Sequence, residues 1–264
     1  LSDSYTVGIC VSENTSKIHL TTALSSILIA KMKSGAEVEV ILCGNTLPII
    51  RSVVNSFSGA LDILIIPFDE KEKKKPWITR KKNLIVQHAR MENTILMHDY
   101  YCLACNFFDP NPDDYGALRQ PVVWSKAPLE NYWFRHSDWI VNPNRMQEFI
   151  DASPGVAEEL KKAAPEENAA KYVCGLPYDE SACSSIQYIS GGFMFARTHV
   201  FLECPLNEDL LWGEAEDVEW SERVLKRFIL KFYHSCVYSM KPNKWNVTQM
   251  PDSVLEKLKA YYNL

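Results

Sequence analysis

Three apolar strand-like segments separated by two helical ones fill the first 66 residues, and that order leaves few folds open. Residues 5–11 are rich in β-branched and small apolar residues and read as a buried strand. Residues 12–16 are polar, and Thr15 or Ser16 supplies a cap for the helix that follows. Leu20, Leu24, Ile27, Leu28 and Met32 then recur at helical spacing until Gly35 stops the pattern. Residues 38–43 form a second strand, 48–57 a second helix and 61–66 a third strand. Such alternation implies a parallel sheet joined by right-handed crossovers, with ligands bound at the carboxyl ends of the strands. No G-x-G-x-x-G follows the first strand, so a dinucleotide fingerprint is absent.

Beyond residue 66 the pattern is less regular. The charge run at 69–75 reads as a solvated loop, and a helical pattern resumes over 79–91. Ile95-Leu96-Met97 is the next strand, delivering His98, Asp99, Tyr100 and Tyr101 to the same carboxyl edge. His98 packs or orients its neighbours, on the face opposite Asp99. Residues 106–145 are rich in Pro and aromatics, among them Trp124, Tyr132, Trp133, Phe134 and Trp139. These rings are either core or a flat platform for a ligand. Residues 156–170 suggest a surface helix, 216–230 a helix, 232–238 a strand and 252–262 a terminal helix. At 264 residues the chain suits one α/β domain.

The composition narrows the function. A formal net charge of −5 argues against nucleic acid as a partner. No apolar run reaches the length of a membrane span. The first residues do not read as a signal peptide, so the expected compartment is the cytoplasm or is left open, since the missing initiator Met allows the chain to be a fragment. Eight scattered cysteines look like buried thiols, and the single C-x-x-C at Cys102 and Cys105 has no second pair to complete a zinc site.

Two segments carry the chemistry. Ser190-Gly191-Gly192 precedes an apolar strand. After one further short helix, Trp212-Gly213-Glu214 opens a turn into Glu216-Asp217, whose carboxylates begin a helix. A carboxylate placed there can take a proton from a bound hydroxyl. Acidic residues are also favoured at any helix start by the peptide dipoles. Two bare glycines let a backbone approach a ligand closely, or make a tight turn. Arg80, Lys81 and Lys82 offer positive charge for a phosphate, or a solvated cationic face.

Together these pieces resemble the GT-A glycosyltransferases, in particular the inverting family 2-like kind, over residues 5–238. The resemblance rests on the basic-Asn helix at Arg80, Lys81, Lys82 and Asn83, on a reduced Asp-x-Asp motif at Asp99-Tyr100-Tyr101, on Gly191-Gly192, and on Trp212-Gly213-x-x-Glu216-Asp217. It implies a mixed, mostly parallel central sheet flanked by helices, a nucleotide-sugar half at about 1–105 and an acceptor half at about 106–264. It implies transfer of a sugar from a nucleotide sugar to a hydroxyl of a glycan or other acceptor. Asp217 would be the base and Glu216 would place the acceptor, with Trp212, Gly213 and Glu214 beside it. Glu13, Arg80, Lys82, Asn83, Asp99, Gly191 and Gly192 would hold the donor, Glu13 on the nucleobase side. Mn²⁺ or Mg²⁺ would bind at Asp99, with His234 as a further ligand. Tyr101 stands where the family has its second acid, which weakens the metal set. The alternatives are a degenerate domain of this fold that binds carbohydrate or a partner, and a sugar nucleotidyltransferase. The second would need a basic Gly-rich loop after the first strand, which residues 12–15 do not supply.

Overall fold

A computed structural model describes residues 3–45, 47–70, 75–110, 116–126, 133–136, 138–140, 174–176, 187–214 and 216–240. The expected helices at 156–170 and 252–262 lie outside the described residues, as do Tyr132 and the side chains of Trp124, Trp133, Phe134, Trp139 and His234.

The amino-terminal alternation folds as its pattern requires. β1 (Ser4–Val11), β2 (Glu37–Gly44), β3 (Asp62–Pro67) and β4 (Asn93–His98) are linked by α1 (Lys17–Ser34), α2 (Pro48–Ser56) and α3 (Ile78–His88). Ser16 caps α1 by accepting from the His19 amide. Gly35, in the left-handed region at φ 69°, ends it. Thr15 is not the cap; its hydroxyl accepts from the Ser12 amide. Met32 is 75% exposed and so departs from the expected apolar stripe. The stripe that packs on the sheet is Leu20, Ala23, Leu24, Ile27 and Ala30, spaced three and four apart.

The rest of the chain adds β5 (Tyr101–Leu103), β6 (Leu118–Lys126), β7 (Trp133–His136), β8 (Asp138–Ile140), β9 (Cys174–Leu176), β10 (Gln187–Tyr188) and β11 (Phe193–Arg197). Next come α4 (Thr198–Glu203), α5 (Glu216–Leu225) and β12 (Leu230–Ser239). Nine strands form one sheet in the order β3-β2-β1-β4-β11-β6-β12-β5, with β7 beside β6. β1, β2, β3, β4, β6 and β12 run one way, and β5, β7 and β11 run against them. The sheet is therefore mixed and mostly parallel. β8, β9 and β10 make a separate small antiparallel sheet.

Side chains alternate across the large sheet with the two-residue period of a strand. Val7, Ile9, Val40, Leu42, Ile95 and Met97 join a core with α1 and α2. Cys10, Ile41, Cys43, Leu96 and Met194 join a second core with α3, α4 and α5. Both faces are covered, which a sheet with so many parallel strands requires. The helix expected at 79–91 ends at His88, because Arg90 leaves it to bind Glu39 and Asp62. The helix expected at 216–230 ends at Leu225, and β12 begins at Leu230.

Candidate active site

β4 and β11 are antiparallel neighbours, with Phe193 opposite Met97. The start of β11 therefore lies at the carboxyl end of β4, and that brings Gly191 and Gly192 to the edge where the turn at Asp99 begins. The His98 amide donates to the Gly192 carbonyl at 3.1 Å and closes this corner.

α5 is stitched to the same corner. Asp217 Oδ2 accepts from the Gly191 amide at 2.8 Å, and Oδ1 accepts from the Val218 amide at 3.0 Å. Ser221, one helical turn on, accepts from the Ile189 amide at 2.9 Å and donates to the Asp217 carbonyl at 2.6 Å. Ser221 was missed in the sequence; its only signal there is the four-residue spacing from Asp217. A Cβ on Gly191 would stand 3.1 Å from the Asp217 Cβ and 3.3 Å from Lys82 Nζ. Glycine is what lets the strand entry, the helix start and the lysine meet. Asp217 is half-buried, and each of its oxygens keeps lone pairs beyond its one protein hydrogen bond.

Glu216 beside it is buried, and its carboxyl is pushed up to about 7. Loss of water is the main cause and the Asp217 charge adds to it; Lys82 and backbone hydrogen bonds at Glu216 and Gly213 oppose them. The two neighbouring carboxyl groups thus have different environments, one wet and one dry.

The basic run on α3 is not a solvated face. Lys81, Lys82 and Asn83 are all buried, and each member of the run ties down a different segment. Arg80 pairs with Glu208 at 2.9 Å. Lys81 donates to the Val11 carbonyl at 3.0 Å and pairs with Glu70 at 2.7 Å. Lys82 donates to the Gly191 carbonyl at 2.6 Å. Asn83 donates to the Leu206 carbonyl and accepts the Leu206 amide, at 2.9 and 3.0 Å. Arg80 and Lys82 are each engaged by a protein group. A buried cation is held most firmly by a fixed acceptor, and for Lys82 that acceptor is the Gly191 carbonyl; Arg80 and Glu208 pair in a half-exposed setting.

The Trp212 turn sits against the same helix. The Trp212 amide donates to the Pro76 carbonyl at 3.0 Å, Thr79 donates to the Leu210 carbonyl, and Trp77 Nε1 donates to the Glu208 carbonyl. Gly213 takes φ 77°, and the Trp212 ring is 54% exposed. Glu214 accepts from the Leu211 amide and pairs with Lys75 at 3.2 Å. Glu13 is exposed in the turn after β1, while Lys81 and Glu70 brace the end of that strand from behind.

The metal set implied by the reduced motif does not assemble from the described residues. Asp99 is half-buried in the turn after β4, but Tyr101 is 1% exposed, and its ring packs on Phe193 at 5.8 Å and on Tyr100 at 5.0 Å. The position of the second acid therefore faces the core. Among the described residues no three His, Cys, Asp or Glu side chains gather to hold a metal. His234 belongs to β12, and its side chain lies outside the described residues.

With this geometry in hand, known structures identify the architecture. S. aureus TarS 1–349 in complex with UDP-GlcNAc superposes with a TM-score of 0.56 at 11% identity, covering 98% of this chain and 66% of that one. The mannosyltransferase PcManGT from Pyrobaculum calidifontis, in complex with GDP-Man and Mn²⁺, gives 0.54 at 11% identity, with 93% and 59% covered. The fold is that of the GT-A glycosyltransferases. This chain spans less than two thirds of the length of either GT-A neighbour. No protein-family model and no curated protein matches the sequence. No helix among the described residues is long and apolar enough to cross a membrane.

Proposed function

We propose that the chain is a glycosyltransferase that moves a sugar from a nucleoside-diphosphate sugar to an acceptor hydroxyl with inversion, and that residues 1–264 act as one catalytic domain. Residues up to about 105, joined by Gly191 and Gly192, handle the donor and the remainder the acceptor. The observation that carries this reading is the half-buried Asp217 carboxylate, held by the Gly191 amide at the carboxyl edge of a GT-A sheet. Support comes from two proteins of the same fold that hold UDP-GlcNAc and GDP-Man.

The chemistry is a single displacement. The acceptor oxygen attacks the anomeric carbon as its proton passes to Asp217. The bond from that carbon to the diphosphate oxygen breaks, and its electron pair leaves with the nucleoside diphosphate. Glu216, which keeps its proton to higher pH, is suited to donate a hydrogen bond to the acceptor. Gly191 and Gly192 line the sugar, Glu13 the base side, and the exposed Trp212 ring the acceptor side, with Gly213 and Glu214 shaping the turn. Asp99 faces the donor. Asp99 is the residue that would hold Mn²⁺ or Mg²⁺ against the diphosphate, where a cation would stabilise the leaving group's charge.

A panel of nucleotide sugars assayed for hydrolysis and transfer tests the reading. Turnover of at least one donor is expected, releasing free nucleoside diphosphate. Asp217→Asn keeps size and removes the base, so turnover should drop about 10²–10⁴-fold while donor affinity holds. Binding without turnover across the panel would favour a degenerate carbohydrate-binding domain, consistent with Tyr101 in place of an acid. Formation of a nucleotide sugar from a nucleoside triphosphate would make the chain a nucleotidyltransferase instead.

A further inference from the structure

We propose that Lys82 is a positioning residue for Asp217, acting through Gly191, and this rests on the reading of Asp217 as the base. The argument begins with the oddity of the side chain. Lys82 has no exposed surface, and among the described residues no carboxylate forms an ion pair with it, which is rare for a lysine so completely buried. Its hydrogen bonds go instead to the Gly191 carbonyl at 2.6 Å and the Met194 sulfur at 3.5 Å. An ammonium costs much to dry, so a chain that keeps one here gains something a neutral core residue would not supply.

What it holds is the Gly-Gly joint of the site. Gly191 and Gly192 are the residues with the widest backbone freedom, and the amide of Gly191 is one of the two donors that fix the Asp217 carboxylate. Left free, rotation about the Gly191 α-carbon would swing that amide away. Lys82 fixes the carbonyl on one side of this α-carbon, while Asp217 is bound by the amide on the other. The ammonium and the carboxylate face each other across the space where a side chain would stand, since both lie within 3.3 Å of the place of a Gly191 Cβ. Ser190 accepts from the Gly192 amide, in the same peptide whose carbonyl Lys82 binds, and the His98 amide donates to the carbonyl of the next peptide. Because Lys82 comes from α3 and Asp217 from α5, the link also sets the two helices in one register at the sheet edge.

Two measurements on the 264-residue chain test this. The first needs no substrate. Exchange of the Gly191 amide, followed by NMR, should quicken at least tenfold in Lys82→Met while the global melt stays cooperative; unchanged exchange would overturn the proposal. The second uses UDP-GlcNAc and GDP-mannose as hydrolysis probes and UDP as the calorimetric probe. Lys82→Met should lower kcat about 100-fold and leave UDP affinity within threefold. The double variant Lys82→Met/Asp217→Asn should be no slower than Asp217→Asn alone, since residues acting as one unit are not additive. Multiplying losses, or a tenfold loss of UDP affinity with kcat kept, would instead make Lys82 an independent phosphate contact. If Lys82→Met does not fold, Gly191→Ala strains the same link from its middle, and a kcat loss that is again non-additive with Asp217→Asn is expected. Wild-type turnover in Lys82→Met beside a collapsed Asp217→Asn sinks only the Lys82 assignment. Near-normal turnover in Asp217→Asn sinks the base reading itself.

Discussion

Tyr101 shows how one residue separates a motif from its chemistry. By spacing it occupies the place of a second metal-binding acid, yet its ring is sealed among Tyr100 and Phe193. Restoring the acid should therefore damage the protein rather than build a site. Tyr101→Asp leaves a cavity and a dry carboxylate, and a loss of about 3–5 kcal/mol in urea unfolding is expected, with no gain in Mn²⁺ affinity. Which residues of the site were legible follows the same line. Asp217 and the paired glycines could be picked out because a carboxylate at a helix start and a Cβ-free strand entry are local features. The fate of Arg80, Lys81 and Lys82 could not, because their partners Glu208, Val11 and Gly191 lie 128, 70 and 109 residues away. A basic run looks the same in sequence whether it is dissolved in water or locked into three separate seams.

The elements of the first 98 residues were legible because each strand is short, apolar and bounded by a cap or turn residue. Their alternation then admits one hand of crossover. β6, β11 and β12 were harder. Their pairing is non-local, and β11 enters the sheet antiparallel between two strands that come earlier in the chain. Turn chemistry at the strand ends is strict. Gly44 ends β2 at φ 145°, where a Cβ would fall 1.9 Å from the Val11 carbonyl oxygen, the same oxygen that Lys81 binds. Gly44→Ala should cost about 2–4 kcal/mol and loosen the end of β1. Gly59→Ala is the control. It shares a positive φ of 83° but meets nothing within 4 Å, so only about 1–2 kcal/mol is expected. Thermal melts of the two variants side by side separate strain from collision.

For the molecule as a whole, Glu216 ties stability to pH. Burial lifts its carboxyl from 4.5 to about 7 on folding. Between those values the folded chain holds more proton than the unfolded one. The contribution is complete below about 4.5 and is lost as pH rises through about 7. Glu216→Gln removes this slope. Relative to the variant, the wild type should lose on the order of 5 °C in Tm between pH 4.5 and pH 8, and parallel curves would show that the group is not dry. The strand order also has a temporal side. During synthesis β4 is complete at residue 98, but its partner on that flank, β11, emerges only at residues 193–197. At about 5–20 residues per second the wait is roughly 5–20 s. Through that interval an apolar strand destined for the middle of the sheet is an open edge, available to any other nascent copy. That edge closes only once residues 193–197 have left the ribosome, a hazard that the strand order builds into every round of synthesis.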